Sequence, residues 1–185
     1  MASTAPVIET TIKNLLTAFN GESNAAAKYA AFANKADQDG YAKVASLFRA
    51  ASRAEQIHAA NHARVITKMG GKPFANIEPV ELKSTRENLK TALAGEEYER
   101  DVMYPDFIKE AESHNNTAAV RTFNHALEAE KEHAHLYGLA LRQLENWKIK
   151  TTYYVCIVCG YTTEDANFVR CAVCGTSKEK FEHVN

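Results

Sequence analysis

Apolar positions recur at steps of three and four residues through most of the chain, the spacing that lines up one face of an α-helix, and they do so in four stretches. The first stripe is Ile12, Leu15, Leu16, Phe19, Glu22, Ala26, Ala30 and Ala33, which predicts a helix from about Glu9 to Asp37, closed by Asp39-Gly40. A second stripe begins near Tyr41 and carries Val44, Leu47, Phe48, Ala51, Glu55, His58, His62, Val65 and Met69. The third runs from about Val80 through Leu82, Leu89, Ala92, Leu93, Glu96, Glu99 and Met103, with Pro105 expected to kink or unwind its later half. The fourth starts near Thr117, takes in Val120, Phe123, Leu127, Glu130, His133, Tyr137, Leu141 and Leu144, and fades near Trp147. One long break, 70–79, separates the second stripe from the third and is dense in helix terminators. Its ten residues extend to about 33–36 Å, enough to cross most of a bundle.

The polar members of these stripes carry the chemistry. Glu55-Gln56-Ile57-His58 and Glu130-Lys131-Glu132-His133 lie 75 residues apart, and each sets a carboxylate and an imidazole on one helix face at i, i+3. Glu22 precedes Glu55 by 33 residues and Glu96 precedes Glu130 by 34, so a helix-pair unit is repeated. Any one of these acids alone reads best as a solvated surface residue. Together they share stripes with Leu, Phe and Val, and a buried carboxylate without a partner is too costly to repeat five times. Glu22, Glu55, His58, Glu96, Glu99, Glu130 and His133 match the ligand set of a dinuclear carboxylate site inside a ferritin-like four-helix bundle. Oxygen-rich ligands with one imidazole per metal favour iron or manganese over zinc. Glu99 has no counterpart in the first half, where Ala25 stands, and an extra carboxylate lets coordination change with oxidation state.

After about Thr151 the pattern changes to short aromatic and β-branched pieces around four cysteines. Cys156-x-x-Cys159 and Cys171-x-x-Cys174 are two knuckles that together form a tetrahedral four-thiolate site, and the spacing alone does not separate iron from zinc. Gly160 and Gly175 follow the knuckles and allow backbone N–H groups to turn toward sulfur, while Tyr153, Tyr154, Tyr161, Phe168 and Phe181 are expected to pack around the metal. A tail of this size cannot bury enough apolar surface alone, so its metal is expected to hold it together. The chain thus divides into a bundle over 1–148 and a small β-rich metal domain over 151–185.

Composition adds exclusions. A formal charge of −1 gives no electrostatic reason for a nucleic-acid or membrane partner, and no apolar run approaches a membrane span. Residues Met1 to Glu9 have no basic start and no continuous apolar run, so no signal peptide is expected; with paired Cys-x-x-Cys motifs this points to the cytoplasm. His62, one turn beyond His58, fits an outer-layer group or, preferably, a satisfied core histidine. His135 is expected on the surface, and His114, His125 and His183 receive no role.

The combination resembles the rubrerythrin family over nearly the full length. The resemblance rests on Gly21-Glu22-Ser23, Glu55-x-x-His58, the segment from Gly95-Glu96-x-x-Glu99 to Met103-Tyr104-Pro105, Glu130-x-x-His133, and a rubredoxin-like tail reading Tyr154-Val155-Cys156-Ile157-Val158-Cys159-Gly160-Tyr161. It implies a centre of two non-haem iron ions that reduces hydrogen peroxide to water, with electrons relayed through one iron in the four-cysteine site. It further implies that one iron moves between His58 and Glu99 while Glu22, Glu55, Glu96, Glu130 and His133 stay fixed, and that Tyr29 and Tyr104 lie beside the pair. Two departures stand out: Ala172 follows Cys171 where a rubredoxin usually has proline, and the spacer between knuckles is eleven residues.

Two other readings remain open. A ferroxidase or iron-handling protein would use the bundle site but has no need of the tail, and a non-enzymatic stress protein would carry a zinc ribbon. The external donor is expected to be a rubredoxin or an NAD(P)H-dependent reductase. From Glu130 to Asn146 is sixteen residues, about 24 Å of helix, with few residues left to turn the tail. At least a homodimer is therefore expected, with each tail serving the partner's site across a two-fold interface.

Overall fold

The computed structural model describes the backbone of residues 5–185 and side chains from residue 10 onward. Residues 1–4, part of the stretch in which no signal peptide is expected, lie outside the described residues. The helices are α1 (Ala5–Gln38), α2 (Ala42–Lys68), α3 (Thr85–Tyr98), α4 (Tyr104–Ser113) and α5 (Thr117–Arg142), with a π-helical turn over Glu99–Met103 joining α3 to α4. Among the described residues, no helix is long and apolar enough to cross a membrane.

α1 buries Leu15, Ala18, Glu22, Ala26, Tyr29, Phe32, Ala33 and Ala36. Ala30, expected on the inner stripe, is exposed. A period of 3.6 residues puts Tyr29, not Ala30, inward after Ala26. Gly40, at φ +82°, takes the left-handed turn that ends the α1–α2 hairpin.

The segment after α2 crosses the length of the bundle along α1. It begins at Gly71, next to Ile12. The Asn76 N–H donates to Asn20, the Glu78 N–H donates to Asn24, and the Thr85 N–H donates to Asp39 at the far end of α1. The connection is longer than the break in the sequence, because α3 begins at Thr85 and not near Val80. Ser84 and Glu87 form a reciprocal capping box that fixes the start, and Leu82, expected on the inner stripe, is 52% exposed in the crossover. With the long connection between the two hairpins, α3–α4 runs antiparallel to α1, and α5 antiparallel to α2. Tyr29 meets Glu96, Thr11 meets Glu110, and Lys43 meets Trp147.

Pro105 lacks an N–H, and the ladder ahead of it widens: the Tyr104 N–H bonds to the Glu99 carbonyl in an i→i+5 step. This turn absorbs one residue. Tyr29 follows Glu22 by seven positions, but Tyr104 follows Glu96 by eight. The wider turn restores the phase and brings Tyr104, fully buried, onto the inner face.

The interior has two apolar layers. One contains Tyr29, Phe32, Leu47, Phe48, Leu89, Tyr137 and Trp147; the other contains Leu15, Val65, Ile66, Met103, Tyr104 and Phe123. The ionisable residues lie between them.

Beyond α5 the chain turns back and forms a three-stranded antiparallel sheet, in the order β2 (Thr162–Thr163), β1 (Tyr153–Cys156), β3 (Phe181–Val184). Strand alternation corrects one expectation: Tyr153 and Val155 point into the bundle core, while Tyr154, Tyr161, Phe168 and Phe181 surround the cysteines. Arg53 clamps Glu182 through two contacts of 2.6 and 2.8 Å, and Lys43 meets Glu164 at 2.7 Å.

Ser84→Ala removes the hydroxyl that caps α3. Urea unfolding should show a loss of about 1 kcal/mol with an unchanged slope.

Candidate metal centres

Four helices deliver six side chains to the layer between the apolar clusters. Glu22 comes from α1, Glu55 and His58 from α2, Glu96 from α3, and Glu130 and His133 from α5; each is at most 1% exposed. Their ligand atoms form two overlapping groups: Glu22, Glu55, His58 and Glu130 in one, and Glu55, Glu96, Glu130 and His133 in the other, with all atoms of a group within 4.8 Å of one another. Glu55 and Glu130 belong to both. Their places at the head of each i, i+3 pair allow one carboxylate to face both groups.

Both imidazoles turn Nδ1 inward. His58 Nδ1 is 2.8 Å from Glu55 and 3.1 Å from Glu130, while His133 Nδ1 is 2.9 Å from Glu130 and 3.3 Å from Glu55. Glu22 Oε2, Glu55 Oε1, Glu96 Oε2, both Glu130 oxygens and His133 Nδ1 are buried without a hydrogen bond. Buried polar atoms are normally satisfied, and such a convergent set of orphaned donor atoms is what two cations would fill.

Protonation follows from the crowding. Burial, then the Glu99 charge, pushes the Glu22 carboxyl well up, and burial with Glu130 and Glu55 pushes Glu96 up to about 8. Burial alone would raise Glu55 and lower both histidines. Instead His133 and then His58 pull Glu55 down to about 2, while His58 and His133 are raised well above the usual imidazole value by Glu130 and Glu55 foremost, respectively.

Glu99, named with the ligands from the sequence, falls outside both groups. It is half-buried at the start of the π-helical turn, beside Gly21, and burial followed by the Glu96 charge raises its pKa. Tyr29 donates to Glu96 Oε1 at 2.6 Å, and Tyr104 donates to Glu22 Oε1. His62 is a satisfied core histidine and also an outer-layer group, with Nε2 3.1 Å from the Tyr104 hydroxyl and Nδ1 3.0 Å from Thr122 Oγ1. Burial, then His58, lowers its pKa to about 3, so the ring is neutral. His135 is exposed, as expected; His114 pairs with Glu110, and His183 packs edge-on against Tyr154.

The four cysteines form a second cluster. Cys156 and Cys174 sulfurs are 3.7 Å apart, and those of Cys159 and Cys171 are 3.5 Å apart. Four sulfurs about 2.3 Å from a central ion stand about 3.8 Å from one another, so this is a tetrahedral cage of the right size. Gly160 and Gly175 have φ of +81° and +72°, and their N–H groups return to the carbonyls of Cys156 and Cys171.

The tail lies against the bundle site of its own chain, which corrects the expectation that this site is too far from it. His58 Nε2 is 3.1 Å from the Cys159 carbonyl, and His133 Nε2 is 3.2 Å from Thr162 Oγ1. The helical rise that seemed to separate the sites is undone by the sheet, in which β1 runs back beside α2 and β2 meets α5. Gly160 permits the approach: a Cβ there would lie 2.2 Å from His58 Nε2. Thr122, Thr162 and the second role of Gly160 were not legible in the sequence, where no spacing links them to the ligands.

Comparison with known proteins agrees with this architecture. The family model described as Rubrerythrin matches residues 13–141, and that described as Rubrerythrin, rubredoxin-like domain matches residues 154–182. Rubrerythrin-2 of Clostridium acetobutylicum is 35% identical, covering 92% of this chain and 98% of its own. Nigerythrin of Nitratidesulfovibrio vulgaris is 33% identical, covering 98% and 90%. A structure of nigerythrin in its fully reduced, all-ferrous state superposes with a TM-score of 0.87 at 34% identity, over 94% of this chain and 86% of that one. A Desulfovibrio desulfuricans bacterioferritin, at 20% identity and a TM-score of 0.72 over 80% of this chain and 87% of that one, shares the fold.

Without metal, the folded protein holds protons on Glu96, His58 and His133 that the unfolded chain releases between its ordinary carboxyl and imidazole values and the raised folded ones. Folding therefore binds more protons, and stability falls as pH rises through this window. Thermal unfolding of metal-free protein should move to lower temperature between about pH 5 and pH 8. Metal-loaded protein should be more stable at pH 8 and should not show that fall.

Proposed function

The chain belongs to the rubrerythrin family, and on that premise we propose that it is a non-haem di-iron peroxidase that reduces hydrogen peroxide to two waters in defence against oxidative stress. The observation that carries this reading is the hydrogen bond from His58 to the Cys159 carbonyl, which joins the carboxylate centre to the thiolate centre within one chain. A ferroxidase would leave that contact without purpose. When bound, two irons in the carboxylate layer would supply the two electrons that the reduction needs, and an iron held by Cys156, Cys159, Cys171 and Cys174 would supply one-electron transfer from an external donor.

In this reading the protein holds, orients and protonates. Glu55 and Glu130, shared by both groups, would be held in common by the two ions, with Glu22 and His58 available to one and Glu96 and His133 to the other. Glu99 is the alternative ligand to His58, standing just outside the set; the family resemblance and its lack of a partner in the first half of the repeat support this. Tyr104 and Tyr29 place hydroxyl protons on the end carboxylates, where the two protons consumed with each peroxide are needed. The apolar layers keep bulk water from the reacting bond. Cys156, Cys159, Cys171 and Cys174 hold the relay iron, and Ile157 and Val158 of the first knuckle, 39% and 40% exposed, offer a rubredoxin or an NAD(P)H-dependent reductase an apolar landing point. The protein is placed in the cytoplasm, where free thiols stay reduced. A homodimer is part of the reading, supported by large apolar side chains left to solvent at Phe74, Ile77, Tyr98 and Val102.

Cys156→Ser should abolish donor-driven peroxide reduction while circular dichroism shows the helices intact. Mixed with a bundle-dead Glu55→Ala, Glu130→Ala variant under confirmed subunit exchange, it should regain no activity, because each relay serves its own chain. Activity above both parents would restore transfer between subunits.

Gly160→Ala forces a left-handed backbone onto alanine and pushes a methyl into His58. Both centres should still load, but donor-driven turnover should fall by about 10–100-fold, the scale set by a misplacement near 1 Å. Single-turnover oxidation of pre-reduced protein should change far less.

A further inference from the structure

The Tyr104 hydroxyl has one proton and two neighbours, Glu22 Oε1 and His62 Nε2. Glu22 as a metal ligand is ionised and can only accept, so the phenol donates to it and the phenol oxygen accepts from His62. The ring's N–H is then on Nε2, and Nδ1, 3.0 Å from Thr122 Oγ1, is placed to accept that hydroxyl proton. Every bond of the series therefore points one way, from Thr122 on α5 to His62 on α2, to Tyr104 at the start of α4, to Glu22 on α1. The series ends on Glu22 Oε1. Glu22 Oε2 is buried without a hydrogen bond, and Oε1 lies 3.8 Å from His58 Nδ1, so the bond from Tyr104 fixes how the whole carboxylate faces that end of the site.

We propose that His62 is a positioning residue for the metal site shared by Glu22 and His58: held as the Nε2–H tautomer by Thr122, it directs the Tyr104 proton to Glu22 Oε1 and so fixes the orientation in which that carboxylate meets the ion. The partner site has a shorter arrangement, in which Tyr29 alone holds Glu96 Oε1. The two sites are thus supported unequally, and loss of His62 acts on one of them. Outer-layer groups of this kind alter metal affinity by about 10–100-fold.

The test uses the full chain and does not depend on peroxide chemistry. In zinc-loaded, 15N-histidine-labelled protein, His62 should show a protonated Nε2 and a bare Nδ1. In cobalt(II) titrations of metal-free protein, with the thiolate site told apart by its sulfur charge-transfer absorption, His62→Leu should weaken one of the two carboxylate-site ions by about 10–100-fold and leave the other nearly unchanged. His62→Gln, whose amide can still donate, should recover most of the loss. A protonated Nδ1, unchanged binding in His62→Leu, or equal weakening of both ions would overturn the proposal. Should His62→Leu fail to fold, Tyr104→Phe breaks the same series one link later and must give the same one-site loss. A protein that passes these tests but reduces no peroxide would sink the functional reading and leave this one standing.

Discussion

Everything in this protein is arranged around the burial of like charge. Glu22, Glu55, Glu96 and Glu130 converge with two imidazoles in a layer closed above and below by apolar side chains, and Glu99 stands at its edge. Hydrogen bonds among the described residues leave five of their carboxylate oxygens and one ring nitrogen orphaned. Only cations or protons can relieve that, and the raised pKa values of Glu22 and Glu96 record the protons. The helices must be long enough to bury the layer from both sides, and small residues such as Ala18, Ala51, Ala92 and Ala126 let them approach closely around it.

The second constraint is contact between two centres of different chemistry. Carboxylates and thiolates make metal sites of different kinds on different scaffolds, one a bundle and the other a pair of turns stapled by an ion. The chain joins them through the outward nitrogens of the two histidines, each of which meets the tail, at the Cys159 carbonyl and the Thr162 hydroxyl. Any shift of the tail is therefore felt at both ends of the bundle site. Glycine at position 160 is demanded twice, by its left-handed backbone and by the ring it faces.

The repeat is not exact, and its irregularity is structural. The extra residue of the second half appears as the π-helical turn at Glu99–Met103, forced open ahead of Pro105. That turn carries Glu99, the acid without a counterpart, and it rotates Tyr104 to face Glu22. One insertion thereby distinguishes the two metal positions.

The sequence by itself determined the helices, the six inward glutamates and histidines and the four-cysteine cage, because these depend on periods of three and four residues that a linear pattern records directly. Glu55-x-x-His58 must share a face wherever the helix lies, and Cys-x-x-Cys must form a knuckle. It also held the capping box at Ser84 and Glu87, masked there by the apolar phase of Leu82, which drew the helix start too early. What the tertiary structure alone decided is what lies across gaps in the chain: that Glu99 stands outside the ligand groups, that Tyr153 faces the bundle and not the cysteines, that His62 reaches Tyr104 and Thr122, and that the tail returns to its own site. Those outcomes rest on the direction a strand takes after a turn and on the angle at which helices meet. Neither is encoded by local spacing; both follow from which surfaces can be buried together once the helices have formed.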